Sequence, residues 1–133
     1  MFIITPIIAI IVAIAIPNML SSIQRGRQKS TMRIMQEIGR SIETMKSKDG
    51  YPVLRSIKEL NQRNKNIHIL DGWGHEIRIF SEPGNYYIIS LGKDGKAEFS
   101  NPASYPKGPT MGFDRDIVYS NGNFIRKPEE ARD

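Results

Sequence analysis

Three aspartates are the residues of this chain best placed to do chemistry. Asp94 stands in KDGK, and Asp114 and Asp116 in FDRDIV, at the two ends of a segment rich in Gly, Pro, Ser and Asn. A hard divalent cation such as calcium takes roughly six to eight oxygens from carboxylates and carbonyls, which suits such a set. The plainer alternative is that Asp94-Gly95 makes a turn and the other two acids are solvated. The two histidines, His68 and His75, lie seven residues apart across DGWG with no cluster of acids between them. A zinc site or general base is one reading, and exposed turn and strand positions the stronger one. There is no Ser/His/Asp spacing, Walker loop or paired-acid motif. The chain has no cysteine, which excludes disulfides, thiolate zinc sites and a cysteine nucleophile. Nothing here points to an enzyme.

The chain is basic, with 19 Lys and Arg against 14 Asp and Glu in 133 residues. That balance suits an anionic membrane surface or nucleic acid, and is also common on ordinary solvated faces. The basic run RGRQK, residues 25–29, has no aromatic residues interleaved with its charges, so no nucleic-acid partner is expected. A solvated helix face is the first reading of it, and a membrane-surface or intersubunit contact the second.

The elements that must position these residues begin with an uncharged run from Met1 to Ile16, mostly Ile, Val and Ala. As a helix it covers roughly 24 Å, slightly short of a hydrocarbon core of about 30 Å. It lacks the basic start of a signal peptide, and strongly helical sequence follows it, so a retained anchor is the better reading. Thr5-Pro6 can cap a helix start. Pro17 lies between helical patterns and predicts a kink or melted turn near residues 12–17.

Met19, Leu20, Ile23, Ile34, Met35, Ile38, Ile42 and Met45 then recur at three- and four-residue steps, one apolar stripe on a helix reaching residue 48. The stripe is thin between Ile23 and Ile34, where few contacts within the chain are expected. Gly50 is the expected C-cap, and Pro52 bars resumption. Anchor and stripe together predict a rod of roughly 65 Å, longer than the rest of the chain can cover. VLRSIKEL, residues 53–60, predicts a short helix with Val53, Leu54, Ile57 and Leu60 on one face. EIRIF and NYYIIS around EPG predict one hairpin, and DIVYS and NFIR around Asn121-Gly122 a second. Residues 91–116 read as a long loop, functional or disordered. Trp73 and Tyr86-Tyr87 read as packing residues, as do the helix methionines. The fold class is α+β: a long N-terminal helix packed on a small antiparallel sheet. The divisions are 1–17 (apolar), 18–50 (amphipathic helix) and 51–133 (head).

Taken in order, AIAIPN with its basic helix, then YP, DGWG, IISLGKDGK and DIVYSNGNF resemble the type IV pilin superfamily. Within it the resemblance is closest to the major pseudopilins of bacterial type II secretion. No single piece is specific; the ordered set is. The resemblance implies a pilin-like fold and a subunit held in the inner membrane and facing the periplasm. Such subunits assemble into a homo-oligomeric helical filament, with minor pseudopilins and the secretion machinery as partners, and drive export of folded proteins. It implies a filament core or membrane segment made by Ile7, Ile8, Ile10, Ile11, Val12, Ile14, Ile16 and Pro17. It also implies an intersubunit contact at Glu43, for which an ordinary surface position is the alternative, and calcium held by Asp94, Asp114, Asp116 and the carbonyl of Leu91. Two departures stand out. The family's early glutamate has no counterpart, Thr5 occupying the fifth position, and Ala9 replaces the family's helix-breaking glycine. The alternatives are a type IV pilus subunit, exposed at the cell surface, or a membrane-anchored binding domain that does not polymerise.

Overall fold

Apolar residues at positions 35, 38 and 42 make one stripe on a helix, and that stripe is where the sheet packs. The structure, a computed structural model, describes residues 4–63 and 67–128, with side chains described from Ser22 onward. Helix α1 runs Ile4–Thr44. Met35, Ile38 and Ile42 are at most 1% exposed, and each such burial stabilises by about 1.5–3 kcal/mol. The helix is unbroken through Pro17, so the melted turn expected at residues 12–17 is not found. One lost bond in a helix this long is offset by the turns on either side. Thr5 and Pro6 are already inside the helix and do not cap it. At the other end α1 stops at Thr44, ahead of the expected residue 48, and the chain closes a Ser47–Gly50 bridge. Gly50 is therefore not a C-cap. It has φ 103°, and a Cβ there would stand 2.2 Å from the Pro83 carbonyl oxygen.

Helix α2 spans Ile57–Arg63, later than expected. Its start is set by a capping arrangement: Ser56 Oγ accepts the Glu59 N–H, and Glu59 Oε2 accepts the Arg55 N–H. Ile57 and Leu60 are fully buried, but Leu54 lies outside the helix, bridged to Ser81, and Val53 is exposed.

Strands β1 (Arg78–Ser81), β2 (Tyr86–Ser90), β3 (Gly108–Thr110), β4 (Ile117–Ser120) and β5 (Asn123–Pro128) form one sheet in the order β1-β2-β4-β5-β3. Both expected hairpins are present. At the second turn Asn121 has φ 52° and Gly122 φ 94°, the double left-handed geometry that a two-residue hairpin turn needs. The sheet is not wholly antiparallel: β3, drawn from the expected loop, pairs parallel with β5. A three-residue 3-10 turn, Pro102–Ser104, also lies in that segment.

Side chains alternate along each strand, so the sheet has two covered faces. Ile79, Tyr86, Ile88, Ile117 and Tyr119 join Met35, Ile38, Ile42, Leu54, Ile57 and Leu60 in the main core beneath α1. Ile89, Leu91, Tyr105 and Val118, with Phe80, Tyr87 and Ile125 against them, form a second core on the opposite face. The segment 91–116 supplies Leu91 and Tyr105 to it. Every residue of β4 is buried for this reason. The domain is three layers: helix, sheet and a folded-back segment.

Candidate functional site: the 91–116 segment and its buried charges

The segment leaves β2 at Leu91 and returns at Asp116, and its two ends lie side by side. Lys93 N–H donates to the Phe113 carbonyl at 2.8 Å. Gly92 has φ 74°, and a Cβ there would meet the Arg115 carbonyl oxygen at 2.7 Å. Only glycine allows that approach.

Two acids from opposite ends then grip each other's backbone. Glu98 N–H donates to Asp116 Oδ2 at 3.0 Å, and Asp116 N–H donates to Glu98 Oε1 at 2.6 Å. The Tyr105 hydroxyl also donates to Asp116 Oδ2. Arg126, on β5, donates from Nη2 to Glu98 Oε2 at 2.7 Å, and the exposed Arg115 reaches the same oxygen at 3.3 Å. Asp116 is 0% exposed and Arg126 6%. The guanidinium lies 6.0 Å from the Phe99 ring centre and 5.6 Å from that of Tyr105. Among the described residues, Asp116 Oδ1 and Arg126 Nε and Nη1 are buried atoms with no partner.

Burial raises the Asp116 carboxyl above the ordinary range, and the bonds from Tyr105 and the Glu98 N–H only partly oppose it. At Glu98 burial acts the same way but loses: the Asp116 N–H and Arg126 hold its carboxyl below the usual value. Burial and the Asp116 carboxylate push the Tyr105 hydroxyl far up.

The expected calcium set is divided by this arrangement. Asp94 and Asp114 are exposed, and with Glu98 they line an open cleft of about 350 Å³. Asp94 Oδ1 accepts the Lys96 N–H, the turn that was the plainer reading. Asp116 faces inward, and the Leu91 side chain belongs to the second core. Among the described residues, no three His, Asp or Glu side chains stand close enough together to hold a metal ion. Glu98, which borders the same cleft, is bonded to two guanidinium groups.

The other singled-out residues lie elsewhere. His68 pairs at 3.5 Å with Glu37 on an exposed surface, and His75 Nε2 meets the Lys93 carbonyl oxygen at 3.1 Å; the two histidines do not share a site. Glu43 Oε1 accepts the hydroxyls of Tyr86 at 3.1 Å and Tyr51 at 3.3 Å, so it has partners within its own chain. Burial, reinforced by Glu43, raises the Tyr86 hydroxyl far above its ordinary value. The apolar positions from Ile7 to Pro17 fall in α1 but outside the residues whose side chains are described. Among the residues described with their side chains, no helix is long and apolar enough to cross a membrane.

One contact runs against expectation. The thin part of the α1 stripe does touch the head, through polar groups. Gln28 is 3% exposed and Thr31 0%. Thr31 Oγ accepts the Gly72 N–H at 2.8 Å, and Gln24 Oε1 accepts the Trp73 indole N–H at 2.6 Å. Gln28 donates to the Gly112 carbonyl at 3.1 Å, tying α1 to the 91–116 segment. Asp71 shapes the DGWG turn by accepting the N–H groups of Trp73 and His75 and the Ser90 hydroxyl. A run of Gln and Thr where a stripe loses its apolar residues was the available signal for this clasp.

Comparison of the chain with protein-family models, curated proteins and solved structures finds no match.

Proposed function

We propose that this chain is the repeating subunit of a helical filament of the major pseudopilin kind, held in a bacterial inner membrane before assembly and driving export of folded proteins. The observation that carries the reading is the mismatch between helix and head. A 41-residue helix is about 60 Å long. The described side chains of α1 that pack on the head run from Gln24 to Ile42, in its last half. The first half carries the uncharged run through Ile16. An uncharged helical run of this length is suited to lipid or other copies of itself around it. The ordered resemblance of IISLGKDGK and DIVYSNGNF to pilin heads supports the same reading, as does the absence of any enzyme motif.

Electron microscopy of cells overexpressing the full chain tests it. The expected result is filaments that Ile11→Asp abolishes while the protein still accumulates. Abundant folded protein without filaments overturns the reading in favour of a tethered, non-polymerising domain. If filaments form, deletion that stops secretion of folded proteins marks the pseudopilus. Deletion that stops adhesion, motility or DNA uptake alone marks a pilus.

A further inference from the structure

The segment 91–116 brings two carboxylates together, the buried Asp116 and the half-buried Glu98, by reciprocal hydrogen bonds to each other's backbone. A carboxylate held this way is stabilised by a cation beside it, because an unbalanced buried charge is strongly destabilising. A divalent ion is one solution, and it needs carboxylate oxygens left free at a common point. Another is already present. Arg126 arrives from β5 with its side chain 6% exposed and its Nη2 2.7 Å from Glu98. Two aromatic rings of the segment itself, Phe99 and Tyr105, pack edge to face beside the guanidinium. A guanidinium stays charged at any pH the fold survives, and its rigid fork suits a carboxylate partner. Arg115 contributes a second, exposed positive charge from the rim. Charges then balance: two carboxylates against two guanidinium groups. Asp94 and Asp114 are left on the solvent side, at the cleft that Glu98 also borders.

We propose that Arg126 is the permanent internal cation of this segment, closing it onto the sheet as a bound metal would, so that closure is independent of calcium. The chain thereby staples its longest connection with neither disulfide nor metal. The staple does not depend on whether the chain polymerises.

Thermal unfolding of the full chain, in detergent, tests this. The unfolding midpoint is expected to be the same in excess chelator and in millimolar calcium. Arg126→Gln is expected to lower it by on the order of 10 °C. Glu98→Gln combined with Arg126→Gln is expected to lose less than the sum of the two single changes, since the pair is one unit. A wild-type midpoint that rises with calcium and falls with chelator overturns the proposal, and this arm needs no variant to fold. An Arg126→Gln midpoint equal to wild type also overturns it. Should Arg126→Gln fail to accumulate, Arg126→Lys keeps the charge but not the fork and is expected to melt between wild type and unfolded. An Arg126→Lys midpoint matching wild type, with calcium raising it, counts against the assignment.

Discussion

Gly72→Ala tests the clasp between α1 and the DGWG turn most sharply. A Cβ at Gly72 would lie 2.4 Å from the Arg27 carbonyl oxygen and 2.9 Å from Thr31 Oγ. The first of these is helix backbone, so no rotamer change relieves it. Reaching ordinary contact, at about 3.4 Å, requires the turn to withdraw by roughly 1 Å. That stretches the 2.8 Å bond from Gly72 N–H to Thr31, which is wholly buried, and the 2.6 Å bond from Trp73 to Gln24. Overpacking costs about 1–3 kcal/mol and a lost hydrogen bond about 1 kcal/mol. The expected loss is about 2–4 kcal/mol, or on the order of 10 °C in melting midpoint for a domain of this size. Gly26→Ala is the matched control. It makes the same chemical change in the same region, on a helical, exposed glycine with nothing within 4 Å of the new methyl. It should stabilise by about 0.5–1 kcal/mol, because alanine gives up less backbone freedom than glycine. Thermal denaturation followed by far-ultraviolet circular dichroism, run on both variants and wild type, gives the comparison. The reasoning is refuted if Gly72→Ala melts at or above the midpoint of Gly26→Ala.

Ile38→Ala empties a fully packed position between helix and sheet and should cost about 2–5 kcal/mol in urea unfolding, with the slope unchanged. Gly122→Ala forces a methyl into φ 94° and should cost about 1–2 kcal/mol by the same measurement, although nothing lies near the new methyl. Burial, with smaller contributions from Glu43, raises the hydroxyls of Tyr86 and Tyr119 above their ordinary 10.0. A raised value means the folded state keeps a proton that the unfolded chain releases, so this stability is complete below pH 10 and falls as pH rises beyond it. Melting midpoints taken from neutral to alkaline pH should therefore stay level and then drop above about pH 10, and the drop should be shallower in Tyr86→Phe.

Local rules were enough for the elements. A stripe at positions 35, 38 and 42 can bury only one helix face, alternation in EIRIF permits only a two-faced strand, and Asn121-Gly122 tolerates the positive φ of a tight turn. Those constraints act over a few residues, so the sequence by itself determined a long helix on a sheet with two hairpins. The late start of α2 is also written locally, in the Ser56 and Glu59 cap.

What only the tertiary structure decided concerns polar groups, whose burial depends on partners far along the chain. Gln28 and Thr31 read as a gap in a stripe, and only Gly72 and Gly112, more than 40 residues away, make them a clasp. Arg126 is buried because Glu98, 28 residues earlier, folds back to meet it. The aspartates of the 91–116 segment read as one set of ligands. Spacing says nothing about which way a carboxylate turns: Asp116 turns inward onto Tyr105 and the Glu98 N–H, Glu98 turns to the guanidinium arriving from β5, and Asp94 and Asp114 stay exposed. Apolar surface is buried by its pattern, whereas a charge is buried only where the whole chain supplies its counter-charge.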